Sequence, residues 1–263
     1  MSRSTLSVVI PSRTQPAQLA FLERAIASIN AQTVFSQYSV VIIIGVDKGQ
    51  GHFLRELANR CALTIAESND THSHAAALNA AIRKVQSEFV AFLEDDDEWS
   101  PQFLSLAEKC VSAGASFVSS TQLEFDESNT IVRINDFPTP AAWFMPVDTF
   151  VRVGEFDETY CFHLDNEWLG RLSEANVQRC HLVEMTAPLD PVLVRQVRPW
   201  LFNVLNNGGR FSRLGRHDSP LPLVKRLVHS VSAMTGIARN PVLRNISHEE
   251  YQRLVSRFGR VPW

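Results

Sequence analysis

The sequence predicts an α/β protein whose first half folds as a doubly wound, mostly parallel sheet. Three observations carry that prediction. Strand-like and helix-like segments alternate through the first 120 or so residues. The strongest apolar runs, Val40-Val41-Ile42-Ile43-Ile44 and Phe89-Val90-Ala91-Phe92-Leu93, are continuous, as in strands covered on both faces. The second of these runs ends abruptly in Glu94-Asp95-Asp96-Asp97-Glu98, which puts a block of acids at the carboxyl end of an inner strand, where open α/β sheets bind ligands.

The elements follow in order. Leu6 to Ile10 reads as a first strand, ended by Pro11 and Ser12, and Leu19, Leu22, Ile26 and Ile29 recur at near-helical spacing behind it. Tyr38 to Val46 is the second strand, with Asp47-Lys48-Gly49 as its turn. Phe53 to Cys61 reads as a helix, Leu63 to Ala66 as a strand, and Ser73 to Val85 as an Ala-rich helix leading into the acidic strand. Pro101 marks the start of a helix over Gln102 to Ala113, followed by a strand at Ser116 to Ser120. Then the pattern changes. Gln122 to Phe125 and Thr130 to Ile134 form a strand pair around a turn, and the Pro-bearing stretch Phe137 to Pro146 reads as irregular chain crossing the binding edge. Asp165 to Ala175 is a helix. Beyond Pro188 the expectation is helical, around Pro199 to Leu205, Leu223 to Met234 and Glu249 to Phe258. The expected division is therefore residues 1–190, with a nucleotide half to about 120 and an acceptor half to 190, and a helical, basic extension over 191–263.

Composition narrows the class. Hydrophobic residues make up 45% and charged residues 20%, ordinary for a globular protein. Cys61, Cys110, Cys161 and Cys180 form no Cys-x-x-Cys pair, which argues for reduced, buried thiols over a zinc site or a disulfide framework. No run approaches a membrane span and no apolar leader is seen, so a cytoplasmic protein is expected. The net charge of −3 hides an asymmetry: from Arg195 onward there are 12 Lys and Arg against 3 Asp and Glu, leaving 13 against 25 before it. A basic tail of this kind suits pairing with the acidic body, an anionic substrate, or a peripheral contact with the inner face of a membrane. Nucleic acid is not expected as a partner.

Four adjacent carboxylates repel one another, and protonation, dispersal into water or a divalent cation relieves them. A solvated turn is the simple alternative. Their place directly after a buried strand, beside Trp99, favours hard oxygen ligation of Mg²⁺ or Mn²⁺, as used to hold a diphosphate.

Several groups of residues together resemble a known family. Val8-Val9-Ile10-Pro11-Ser12-Arg13, Val46-Asp47-Lys48-Gly49, Ala77-Leu78-Asn79 and Phe92 to Trp99, taken in that order, are similar to glycosyltransferase family 2, the inverting enzymes with the GT-A fold. Val153 to Glu158 and Leu164-Asp165-Asn166-Glu167-Trp168 resemble that family's Gly-Gly-Phe-Asp-Glu segment and its Glu-Asp catalytic motif. The resemblance covers about residues 5 to 175. It implies a nucleotide-sugar donor, UDP-sugar favoured, and a saccharide or lipid-linked acceptor. It implies that Pro11, Ser12 and Arg13 line the nucleotide pocket and that Asp47 accepts a hydrogen bond from the uracil ring. By the same resemblance Asn79 lies beside the diphosphate, Glu94 and Asp95 near the ribose or donor sugar, Asp96 on the metal, and Asp165 is the catalytic base. His217, in a Gly-containing loop, is a candidate for a further metal ligand.

The sequence departs from the pattern at Lys48, Glu94, Leu78 and Leu164. Leu78 matters most, because it removes a positive charge near the diphosphate, which His72, His74, Arg13 or the basic tail would have to supply. Trp143, Phe144 and Trp168 are candidates for stacking on a sugar or for core packing. Two other functions compete. A sugar nucleotidyltransferase would carry a Gly-rich loop after its first strand, and Pro11-Ser12-Arg13-Thr14 has no glycine. A non-catalytic binding domain on the same scaffold would not need Asp96 and Asp165.

Overall fold

The computed structural model describes residues 3–69, 73–184, 213–219, 221–230 and 232–261. Its centre is an eight-stranded sheet. Strand β1 (Ser4–Ser12) pairs in parallel with β2 (Tyr38–Val46) on one side and β4 (Phe89–Phe92) on the other, and β3 (Thr64–Glu67) extends the sheet beyond β2. On the far side of β4 come β9 (Trp143–Pro146), β6 (Phe117–Ser120), β10 (Arg179–Glu184) and β11 (Arg213–His217). All are parallel except β9, which is antiparallel to β4 and β6. The chain order reverses between β1 and β4, so the sheet opens its binding crevice there.

Alternation along the strands sends side chains into two cores. Leu6, Val8, Ile10, Ile44, Ala91 and Leu93 pack under α1 (Pro16–Asn30), α2 (Arg55–Cys61) and α4 (Phe103–Ser112). Val9, Ile43, Val90 and Phe92 face the other way, toward α3 (His74–Ile82), α5 (Val147–Val153) and α6 (Leu164–Glu174). The alanines of α3 allow close approach: a Cβ on Gly45 of β2 would collide with the Ala77 carbonyl. On this second face an aromatic knot joins Phe92, Phe117, Trp143, Phe150, Phe156 and Trp168, including Trp143 against Trp168 at 4.8 Å and Phe150 against Trp168 at 5.5 Å between centroids. Each of those pairs adds to area burial on the order of 0.5–1.5 kcal/mol.

A second sheet has the order β5 (Glu98–Trp99), β12 (Val224–Val228), β7 (Gln122–Asp126), β8 (Ile131–Asn135). It brings the carboxyl-terminal region against the residues that follow the acids, with Val224 opposite Trp99 and Lys225 opposite Glu98. The helical region is present as α7 (Ala233–Arg239) and α8 (Pro241–Phe258).

Three expectations are corrected. Trp143 to Pro146 is not irregular chain but β9, fully buried at Trp143, Phe144 and Met145, because the strands on both sides leave it no solvent-facing side. Residues Leu223 to Met234 are not one helix: Val224–Val228 is a strand with Val224 and Leu227 buried, and only Ala233 onward is helical. The last helix begins at Pro241, eight residues before the expected start, where Asn240 accepts a hydrogen bond from the Val242 N–H at 2.9 Å and Pro occupies the first turn. The stretch Pro199 to Leu205 and His72 lie outside the described residues.

Candidate active site

The acids emerge at the β1/β4 switch point. The Leu93 N–H donates to the Val9 carbonyl at 3.0 Å, and from there the chain alternates. Asp95 and Asp97 turn inward and are buried, whereas Glu94 and Asp96 are only partly covered. Asp95 accepts a hydrogen bond from the Ser12 hydroxyl. Asp97 Oδ1 accepts the Leu227 N–H of β12 at 3.0 Å. The remaining oxygens, Asp95 Oδ2 and Asp97 Oδ2, are buried with no hydrogen-bond partner.

The electrostatics follow from that crowding. Burial, then the neighbouring Asp96, pushes Glu94 up to about 8 and Asp95 up to about 7, and Asp97 is raised well above the usual carboxylate range for the same reasons. His74, the first residue of α3, has Nε2 3.4 Å from Glu94 Oε2. Burial and then the Arg13 charge hold that imidazole down at about 4, so near neutral pH this contact joins an uncharged ring to a carboxyl and is not an ion pair.

Asp165 acts on these groups from α6, which precedes β10. It sits in the first turn of α6, where a helix amino terminus favours negative charge, and its Oδ1 accepts the Asn166 N–H at 2.8 Å. Burial raises its carboxyl above the ordinary aspartate range, while His163 and Arg226 pull it back. The Asp165 charge in turn acts on Glu94 and His74. Trp168, one turn further along α6, is locked in the aromatic knot with its Nε1–H donated to the Gly154 carbonyl at 2.8 Å. Phe92, two residues before Glu94, belongs to the same knot. The acid strand and the helix that carries Asp165 thus share one anchor, and Trp143 and Trp168, each fully buried, are core residues and not a sugar platform.

Two residues of the carboxyl-terminal region complete the site, and the sequence reading did not single them out. Arg226 of β12 reaches the acids. Its Nη1 lies 3.2 Å from Glu124 Oε1, and its charge acts on Glu94, Asp96, Asp97 and Asp165. His229, just past β12, has Nε2 2.7 Å from Asp96 Oδ2, and that contact, ahead of an opposing burial effect, raises its pKa. His217 sits elsewhere, at the end of β11 opposite Glu184, four strand spacings from β4 or on the order of 19 Å of sheet. The histidine on Asp96 is His229. The apolar residues Leu223, Val224, Leu227 and Val228 around Lys225, Arg226 and His229 were the available signal, and their spacing also fitted a helix.

The other expected donor residues are placed as follows. Pro11, Ser12 and Arg13 lie at the end of β1, and Asp47 ends β2, its turn held by Glu67, which accepts the Gly49 N–H at 3.0 Å and the Gly51 N–H at 3.2 Å. Asn79 is almost fully buried. Its Nδ2 donates to the Phe156 carbonyl at 3.0 Å and to Glu158 Oε1 at 2.9 Å, and its Oδ1 accepts the Phe156 N–H at 2.9 Å. Its amide is spent on pinning the segment before α6 to α3.

Among the described residues, no group of three or more His, Cys, Asp or Glu side chains is placed to hold a metal ion. What is present fits a hard cation held by one or two protein groups with positions left for phosphate oxygens: unpartnered buried carboxylate oxygens, raised carboxyl pKa values, and Asp96 turned to the opening. Among the described residues no helix is long and apolar enough to cross a membrane.

The family model described as Glycosyl transferase family 2 matches residues 7–169, more than half of the chain. The chain belongs to glycosyl transferase family 2. It is a glycosyltransferase with the GT-A fold, and the match takes in both the acids and Asp165. Among solved structures, this glycosyltransferase is similar to S. aureus TarS 1–349 in complex with UDP-GlcNAc, at 10% identity and a TM-score of 0.60 over 95% of this chain and 66% of that one. The same protein in complex with UDP gives 12% and 0.54 over 96% and 72%. The mannosyltransferase PcManGT from Pyrobaculum calidifontis, in complex with GDP-Man and Mn²⁺, gives 16% and 0.51 over 68% and 54%. At such identities the likeness is one of fold. The chain spans between 54% and 72% of the length of these structures. No curated protein matches the sequence.

Proposed function

We propose that this glycosyltransferase moves a sugar from a nucleotide-sugar, UDP-sugar favoured, to a hydroxyl of a saccharide or lipid-linked acceptor, with inversion at the anomeric carbon. The observation that carries the reading is the electrostatic coupling of Asp165, near the end of the family domain, with Glu94 at its middle and with Arg226 of the tail, which also acts on Asp96, at the crevice between β1 and β4.

In this reading Asp47 accepts a hydrogen bond from the nucleotide base, while Pro11, Ser12 and Arg13 line its pocket. Glu94 faces the ribose or donor sugar. Asp95, bound to Ser12, holds the end of β4 against β1. Asp96 and His229 hold Mg²⁺ or Mn²⁺, which when bound acts as Lewis acid and template for the departing diphosphate. Arg226 stabilises the same negative charge and keeps Asp165 ionised. Asp165 takes the proton of the acceptor hydroxyl as its oxygen attacks, a general-base role for which its raised pKa brings it nearer to the working pH. One base opposite the leaving group inverts the centre.

The test is calorimetric titration with UDP, GDP and dTDP, each with and without Mn²⁺, followed by product analysis with the sugar donor of whichever nucleotide binds. Metal-dependent binding of UDP alone, abolished in Asp96→Ala, is expected. Binding of GDP in place of UDP would move the donor assignment, and binding indifferent to Mn²⁺ would remove the metal from the scheme.

A further inference from the structure

Helix α8 puts Glu250, Arg253, Leu254, Arg257 and Phe258 on one stripe, at the 3- and 4-residue spacing of a single helical face. All of them meet α6 or the chain entering it. Arg253 Nη2 donates to the Thr159 carbonyl at 2.9 Å and its guanidinium lies 4.1 Å over the Tyr160 ring. Leu254 is fully buried, Arg257 Nη1 bonds Glu167 Oε1 at 2.7 Å, and the Phe258 ring fills the space a Cβ on Gly170 would need.

Glu250 differs in kind. It is 2% exposed, and its bonds go to three successive main-chain amides: Oε1 accepts the Cys161 N–H at 2.7 Å, and Oε2 accepts those of Phe162 at 2.9 Å and His163 at 3.0 Å. Three consecutive N–H groups converge on one point only when an anion fills the nest they make. Asp165 begins two residues later. The His163 ring, whose charge acts on Asp165, is itself gripped by α8 through Ser247 Oγ, 3.0 Å from Nε2, with Nδ1 3.2 Å from Asn166 Oδ1.

We propose that Glu250 is a positioning residue for the catalytic base: its carboxylate shapes the Cys161–His163 loop and so fixes how the first turn of α6 presents Asp165 to the acceptor. Arg253, Leu254, Arg257 and Phe258 also dock the helix. Burying a carboxylate to bind loop amides sets the conformation of the loop. The inference rests on Asp165 being the base.

Glu250→Gln tests it. The amide keeps the shape but offers one acceptor oxygen, which can serve at most two of the three amides, and turns its own donors against the third. Turnover should fall about 10- to 100-fold, the scale of a misplacement near 1 Å, while nucleotide affinity and donor KM hold, because the donor residues sit on β1, β2 and β4. Hydrogen exchange should quicken at the amides of residues 161–163 and not in β1 or β4. Unchanged turnover, or turnover, nucleotide affinity and Tm falling together, would overturn the proposal. Should Glu250→Gln fail to fold, Ser247→Ala must lower turnover with nucleotide affinity intact, and wild-type turnover there would equally overturn it. Full activity in Asp165→Asn would sink the base assignment itself, an outcome the exchange measurement keeps separate.

Discussion

Asp165, the proposed base, carries a carboxyl whose pKa burial has raised. A base works ionised, so activity should fall as pH drops through that raised value, giving an acid limb above the ~3.9 of a free aspartate. Asp165→Asn should reduce turnover by about 10²–10⁴-fold with nucleotide binding retained. The Arg226 charge opposes the rise, so in Arg226→Gln the acid limb should move to higher pH, and a pH–rate profile of the two proteins checks this. An unmoved limb would detach Arg226 from the base. Asp96, Asp165 and the end of β1 stood out in the sequence because each lies in a short motif that resembles the family's. Arg226 and His229 did not, since 130 and 133 residues separate Leu227 and His229 from the acids they meet. Only the pairing of β12 with β5 brings them home.

At the level of strands and helices, the parallel half was legible because β2 and β4 hold continuous apolar runs and β1 a shorter one, with punctuation at their ends. β9 was hidden by the prolines at 138, 140 and 146, which read as loop although Trp143 to Pro146 all pair with β4 and Phe144 also pairs with β6. β12 was hidden by degeneracy: Val224, Leu227 and Val228 satisfy a helical spacing, and the strand is decided by partners far away in sequence. The close seat of α3 on β2 gives a direct test. Gly45→Ala drives a methyl into main chain that cannot swing aside, so the cost should exceed the ~1–3 kcal/mol of ordinary overpacking, read as a lowered denaturation midpoint. Gly170→Ala meets the Phe258 ring at 2.5 Å, which can shift, and should cost less. Equal effects would mean that the α3 contact is softer than its geometry.

Over the molecule as a whole, the basic tail spends charge inward: Arg226 on Glu124, Arg257 on Glu167 and Glu174. The acid cluster sets a linkage of its own. Glu94 and Asp95 hold their protons to about 8 and 7 when folded but release them near 4 when unfolded, so the folded state binds more protons in between and stability should decline as pH rises through that window. Protons and Mn²⁺ compete for the same oxygens, so the rise in Tm on adding Mn²⁺ should be larger at pH 8 than at pH 5.5. A rise independent of pH would place the ion elsewhere.

The pairing of β12 with β5 and β7 also has a meaning in time. Asp97 leaves the ribosome 130 residues ahead of the Leu227 amide that will satisfy it, roughly 7 to 26 s at ordinary synthesis rates. Through that interval the nascent sheet carries a knot of uncompensated acid beside its most apolar strand. The first half of this enzyme can form its strands early, but it must wait for the second to become a site.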